Sequence, residues 1–170
     1  MSLRHALLGL LSEHPASGYE LLKRFETSLA NVWPATQSQI YTELAKLDSS
    51  GLIAVVAEGP RSRKDYAITP DGLAELRHWL TETKPRRPAR SDVMLRVFFL
   101  GVLTPDQARR YLADLMDTAG REHEALQALD ASIDWDDDDL SVHGKLALEF
   151  GLRFTAMRRD WAQWAAGQIK

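Results

Sequence analysis

One helix, written between Thr36 and Gly51, limits what this chain can fold into more than any other stretch. Ile40, Leu44 and Leu47 recur at i, i+4 and i+7, and on a 3.6-residue period such a stripe must face a core. The other face carries Gln37, Ser38, Tyr41, Thr42 and, toward one edge, Lys46. Thr36 followed three residues later by Gln39 has the form of a capping box, and Gly51 supplies the C-terminal stop. An ordinary solvated face would carry more Glu and Lys. Amide and hydroxyl groups on the first turn suit base edges in a DNA major groove, with Tyr, Thr and Lys in reach of phosphates. Taken alone, a polar helix of this length also reads as a plain surface helix, so its flanks must decide.

Ser2 to Glu13 reads as a first helix with Leu3, Leu7, Leu10 and Leu11 on one side, broken by His14, Pro15 and Ala16. Ser17 and Glu20 form a second capping box. It opens a helix to about Ala30 in which Leu21, Leu22, Phe25 and Leu29 face inward, and Trp33-Pro34 ends the turn before the central helix. After Gly51, residues 52–57 are rich in β-branched side chains, residues 58–64 hold a Gly-Pro turn, and residues 65–68 are β-prone again. That is a two-stranded hairpin. Arg61, Arg63 and Lys64 place three cations at its tip with no acid among them. Three helices followed by such a hairpin outline a winged helix-turn-helix, whose wing meets the sugar-phosphate backbone beside the groove. For the tip alone, a basic turn that keeps the hairpin soluble is the plainer reading.

Thr69-Pro70 supplies an N-cap and an N1 proline for a fourth helix marked by Leu73, Leu76 and Leu80 and running to about Thr83. Lys84, Arg86, Arg87 and Arg90, interspersed with Pro85 and Pro88, form a basic linker. The domain boundary is expected there: a winged-helix DNA-binding domain over 1–83, the linker over 84–91 and a helical dimerisation domain over 92–170. The linker cations read either as DNA contacts or as groups that keep the joint extended and wet, and the second is the better reading. In the second half Ser91 caps a helix ending at Leu100-Gly101, and Thr104, Pro105 and Gln107 open the next with a capping box and an N1 proline. Leu112, Leu115, Ala119, Leu126, Leu129 and Ile133 continue it as a long apolar seam. The last helix carries Leu146, Phe150, Phe154, Met157, Trp161 and Trp164 on one face. So short a half has little with which to cover that stripe, and a symmetric copy of the chain is the expected cover.

Composition bounds the remaining classes. The 170 residues are 45% hydrophobic and 26% charged, as in a soluble globular protein, and the absence of cysteine excludes disulfides and thiolate metal sites. The opening apolar run, Ala6 to Leu11, is too short for a signal peptide or membrane helix, so the expected location is the cytoplasm, with no membrane partner. The net charge of −3 argues against nucleic acid until it is divided. Residues 1–91 hold 12 Lys or Arg against 10 Asp or Glu, and residues 92–170 hold 9 against 14. This suits a weakly basic binding module joined to an acidic one. Asp136 to Asp139 suggest a metal site, but four consecutive carboxylates spread around a helix, and the glycine and spacing of a calcium loop are missing. The better reading is structural: Asp136 caps the last helix and Trp135 packs on Leu140 as a staple.

Several of these pieces, Ser17 to Leu21, Ile40-Tyr41 with Leu44 and Leu47, Gly51 to Ile53, and Arg63 to Tyr66 followed by Ile68-Thr69 and Gly72, stand in the order and spacing of one family. The chain resembles a PadR-family transcriptional regulator over about its first 80 residues. The remainder is similar to virulence-activator C-terminal domains found in one branch of that family. The resemblance implies a homodimeric repressor, autonomous or ligand-responsive, that dimerises through its C-terminal helices. By position, it puts DNA contacts on Gln37, Ser38, Gln39, Tyr41 and Lys46 of the recognition helix and on Arg61, Arg63 and Lys64 of the wing; Thr42 joins them from the polar face of the helix alone. The chain departs at Thr42, where many relatives have proline. The resemblance also suggests a small aromatic effector stacked by Trp33, Tyr111, Trp161 and Trp164 between the winged domain and the dimer helices, although packing is the plainer role for each.

The leading expectation is a mainly α protein that binds a pseudo-palindromic site on double-stranded DNA as a homodimer, without cofactor or metal. An enzyme finds little support. There is no thiol nucleophile or phosphate-cradling glycine loop, and His5, His14, His78, His123 and His143 are scattered without metal spacing. His123, near an apolar seam, reads as a satisfied interface histidine rather than a catalytic base. The alternative is a winged-helix protein-interaction module without DNA binding, which would tolerate loss of Lys46 and the wing cations.

Overall fold

The computed structural model describes residues 2–26, 35–60, 63–85, 90–135 and 139–170, and it divides into two compact units, Met1–Arg86 and Arg87–Lys170. Each expected capping signal in the described residues is formed, because the first-turn N–H groups of a helix have no intrahelical acceptor and must find one. In the first unit α1 (Ser2–Leu11) precedes a two-residue strand β1 (Ala16–Ser17) and α2 (Gly18–Arg24), followed by α3 (Gln37–Ser49). The wing is β2 (Ile53–Gly59) with β3 (Arg63–Ile68), and α4 (Pro70–Glu82) closes the unit. The stretch expected to extend α2 to Ala30, including Leu29, lies outside the described residues, as do Trp33 and Pro34.

Leu7, Leu8, Leu10 and Leu11 of α1, Leu21, Leu22 and Phe25 from α2, and Ile40, Leu44 and Leu47 of α3 form one core with Ile53 and Leu76. The C-terminus of α3 is a Schellman turn. Gly51 adopts φ 73°, a conformation costly for any residue with a Cβ, while the Leu52 N–H reaches back to the Leu47 carbonyl at 3.0 Å. Thr69 fastens α4 to this turn: its hydroxyl donates to the Gly51 carbonyl at 2.7 Å and accepts the Gly72 N–H at 3.1 Å. His5 of α1 stacks on Trp79 of α4, ring centroids 4.5 Å apart, with Nε2 3.2 Å from Glu75 Oε1. This histidine is therefore part of the packing.

Two differences from the sequence reading concern the sheet. It has a third strand, in the order β1-β3-β2 and antiparallel throughout, with Ser17 opposite Asp65 and Ala16 opposite Tyr66. Two residues are too few to show a period, so β1 reads only as a helix break. The hairpin is also longer than expected, with Gly59 opposite Arg63 and Glu58 opposite Lys64. Both cations thus belong to the ladder rather than to a free tip. A bulge between Val55 and Ala57 leaves Val56 outside the pairing.

In the second unit α5 (Asp92–Phe98) and a 3-10 turn at Leu100–Val102 lead into α6 (Pro105–Ser132) and α7 (Asp139–Gln168). The expected single helix to Leu100 thus ends earlier and tightens into the turn. Contacts run in opposite order along the long pair, Arg109 with Ile169, His123 with Thr155 and Leu126 with Gly151, so α6 and α7 are antiparallel. Thr155 donates back to the Gly151 carbonyl at 2.9 Å and is left to accept from His123 Nδ1 at 2.9 Å. Trp135 donates its indole N–H to Asp130 at 2.9 Å and its ring lies over Gly144. The expected Asp136 cap and the side chain of Leu140 fall outside the described residues. No described helix is long and apolar enough to cross a membrane.

Gly72 is the tightest point of the first unit: a Cβ there would stand 2.0 Å from the Leu52 carbonyl oxygen and 2.9 Å from Ile68 Cγ1. Gly120 in α6 has nothing within 4 Å. Denaturant unfolding is expected to show Gly72→Ala destabilised by about 3 kcal/mol, and Gly120→Ala stabilised by about 0.5–1 kcal/mol through helix propensity.

Candidate nucleic-acid interface

The apolar stripe of α3 fixes which of its side chains meet solvent. With Ile40, Leu44 and Leu47 wholly buried, Gln37, Ser38, Gln39, Tyr41, Thr42 and Lys46 all come out exposed. They are not equally free to bind. Gln39 is committed to the cap, its Oε1 accepting the Thr36 N–H at 2.8 Å while its own N–H donates to the Thr36 hydroxyl at 3.3 Å. Tyr41, 41% exposed, lies over Gly18 at the start of α2, so close that a Cβ on Gly18 would be 2.8 Å from its ring. Lys46 makes only a surface ion pair with Glu43 at 3.4 Å, worth little in water and easily exchanged for a phosphate. Gln37, Ser38 and Thr42 keep open polar side chains on the face away from the core.

The wing base is electrostatically different from its sequence reading. Arg61 lies outside the described residues. Arg63 and Lys64 are exposed at the start of β3, but acids do surround Arg63: Nε donates to Asp65 at 3.0 Å and Nη2 sits 3.5 Å from Glu20 of α2. The bond to Asp65, then its charge and that of Glu20, push the Arg63 guanidinium further up. Glu20 is also the N3 residue of the α2 capping box, accepting the Ser17 N–H at 2.8 Å and its hydroxyl at 2.7 Å. Those bonds, helped by Arg63 and Arg24 and opposed by slight desolvation, hold the Glu20 carboxyl below its ordinary 4.5. Between α3 and the wing, burial, together with Asp48 and Tyr41, pushes the Tyr66 hydroxyl above 10.0. Sequence reasoning found Glu20 as a cap but missed its second partner, because a contact across 43 residues leaves no local signal.

In the second unit the apolar stripe of α7 splits. Leu146, Phe150, Phe154, Met157 and Trp164 are exposed, Phe150 by 70%. Trp161 instead turns inward, with Tyr111, onto a cluster built on Leu100, Ala108 and Leu112. Val97 of α5 and Leu100 of the 3-10 turn supply cover for it within the unit. Phe150 and Phe154 stack at 6.0 Å, and the Arg158 guanidinium lies 5.6 Å from the Phe154 centroid. Sequence reasoning also missed Leu95, Phe98, Phe99 and Val102, which stand exposed on α5 and the turn. Among the described residues no group of three or more His, Cys, Asp or Glu could hold a metal ion.

Residues 7–78 match the transcriptional regulator PadR-like family, and residues 89–170 match the virulence activator alpha C-terminal family. The negative transcriptional regulator PadR of Bacillus subtilis is 33% identical over 74% of this chain and 75% of its own length. The chain belongs to the PadR-like family of transcriptional regulators. A second relative, Rv1176c of Mycobacterium tuberculosis, named a probable transcriptional regulator, is 39% identical over 55% of this chain. That match spans 52% of the relative, so only about half of its length is represented. Among solved structures, B. subtilis PadR in complex with operator DNA superposes with a TM-score of 0.83 at 27% identity, covering all of both chains. The same protein with p-coumaric acid gives 0.83 at 29% identity over 98% of both chains. The Vibrio cholerae virulence activator AphA gives 0.83 at 25% identity over 99% of this chain and 98% of its own.

The Glu20 geometry makes a pH prediction. Its folded value is lowered, so its stabilisation is fully present above the unfolded carboxylate range and fades as pH falls through the folded value. NMR titration of the folded protein is expected to place the Glu20 midpoint below 4.5, and Glu20→Gln should flatten the acid limb of the stability profile in that window.

Proposed function

We propose that this protein is a transcriptional repressor that binds a pseudo-palindromic operator as a homodimer and is released by a small aromatic effector. The observation that carries the reading is the outward face of α3. Gln37 and Ser38 stand at its exposed first turn with Thr42 and Lys46 behind them, while the opposite face is locked into the core by Ile40, Leu44 and Leu47. Amides and hydroxyls at a helix N-terminus are the groups that read base edges, and lysines beside them position on phosphate. Gln37, Ser38 and Thr42 are the proposed base readers. Tyr41, Lys46 and Lys64 are the backbone contacts, with Arg61 a further cation of the wing. Gln39 contributes through its cap and its remaining amide N–H groups.

Two copies of the chain would give a two-fold protein a two-fold site. The exposed stripe of Leu146, Phe150, Phe154, Met157 and Trp164 supports dimerisation through α7, since aromatic and Met side chains are enriched where protein surfaces meet. Release by a flat aromatic acid draws on the B. subtilis relative solved with p-coumaric acid, and Tyr111 and Trp161 are the aromatic groups offered for such a ligand.

Selection of the full-length chain against a random inverted-repeat library is expected to enrich one symmetric sequence. Its affinity should fall by about 10³-fold or more between 50 and 200 mM salt. Phe150→Glu should yield monomers by sedimentation and lose the symmetric site while retaining far-ultraviolet helicity. No enrichment over random DNA, with the protein folded and dimeric, would favour a winged helix used only for protein contacts.

A further inference from the structure

The N-cap of α2 and the base of the wing close a ring of polar contacts that DNA recognition as described above leaves unused. Ser17 pairs with Asp65 across the β1-β3 ladder. Its N–H and hydroxyl both donate to Glu20 Oε2, at 2.8 and 2.7 Å. Arg63 Nη2 stands 3.5 Å from each Glu20 carboxylate oxygen, and its Nε donates to Asp65 at 3.0 Å. One guanidinium is thus held between a carboxylate of α2 and a carboxylate of β3. Lys64, the next residue, projects from the other face of the strand because strand side chains alternate.

We infer that Glu20 is a positioning residue for the wing, holding Arg63 as a strut between α2 and β3, so that Lys64 rather than Arg63 supplies the phosphate-facing charge at the wing base. The strut stands on the contacts alone, while the phosphate-facing role of Lys64 and the DNA-affinity readout rest on the function proposed above. Each exposed ion pair is weak by itself. Here, however, a helix cap fixes one carboxylate and a strand ladder fixes the other, so Arg63 bridges two groups whose positions are already set. To recruit Arg63, a phosphate would have to displace both. The chain itself shows how to remove the charge without removing the cap: α3 and α6 build the same capping box with Gln39 and Gln107 at the position that Glu20 occupies in α2. Glu20→Gln therefore keeps the cap and releases Arg63.

The test compares full-length wild type, Glu20→Gln, Arg63→Gln, the double variant and Lys64→Gln by two readouts. Hydrogen exchange without DNA is expected to quicken about threefold over residues 63–68 in both single variants, with α2 unchanged and the double variant no faster than either. On a duplex selected with wild type, both should weaken binding about threefold to fivefold at every salt concentration without changing the salt slope. Lys64→Gln should lower that slope by about 0.9 and leave exchange as it was. Tighter binding by Glu20→Gln, or a slope lowered by about 0.9 in Arg63→Gln, would make Arg63 a phosphate contact restrained by Glu20 and overturn the inference. Unchanged exchange in both single variants would overturn it as well. If wild type binds no DNA, the functional proposal fails and the exchange data alone decide the strut.

Discussion

Burial of three side chains on α3 sets the rest of the first unit. Ile40, Leu44 and Leu47 are each fully removed from solvent against α1, α2 and the start of the wing, and truncating any of them to alanine should cost about 2–5 kcal/mol. Because these residues recur at helical spacing, locking them inward leaves α3 no rotational freedom about its axis. The polar face then points outward as a consequence of packing. A helix that reads DNA needs that rigidity, since the geometry of a bidentate or major-groove contact fails when the helix can roll.

Side-chain caps open the helices from α2 to α6. Capping boxes open α2, α3 and α6, and single side-chain caps open α4 and α5. In α2 the device has a second consequence. Glutamate in place of glutamine keeps the cap and adds a charge, and that charge reaches the wing through Arg63. A local signal for starting a helix thereby becomes a long-range tie between α2 and the wing. In the second unit a comparable economy appears at Thr155, whose hydroxyl satisfies its own helix while accepting from His123.

The helices and the wing were legible in the sequence because their signals are local: a 3.6-residue stripe, a cap, an N1 proline, a glycine stop. PadR-like membership was legible too, from motifs whose order and spacing are themselves structural. What was not legible depends on distance or on length. Strand β1 has two residues, too few to show alternation. The pairing of Arg63 with Glu20 joins residues far apart in sequence, and Arg63 and Lys64, expected at a free tip, stand within the ladder because the strands continue to Gly59 and from Arg63. On α7 the spacing alone placed Trp161 with its neighbours. Its inward turn follows from α5 and the 3-10 turn, whose packing against α6 and α7 no single-helix pattern reveals.

The function proposed for this protein has two copies of α3 reading two successive faces of one operator. Chemical footprinting of the full-length protein on its selected duplex tests it most directly. The expected result is two protected major-groove patches related by a dyad, with centres about one turn of DNA, roughly 34–36 Å, apart or a whole multiple of it. A single patch without symmetry, or protection confined to the minor groove, would contradict it.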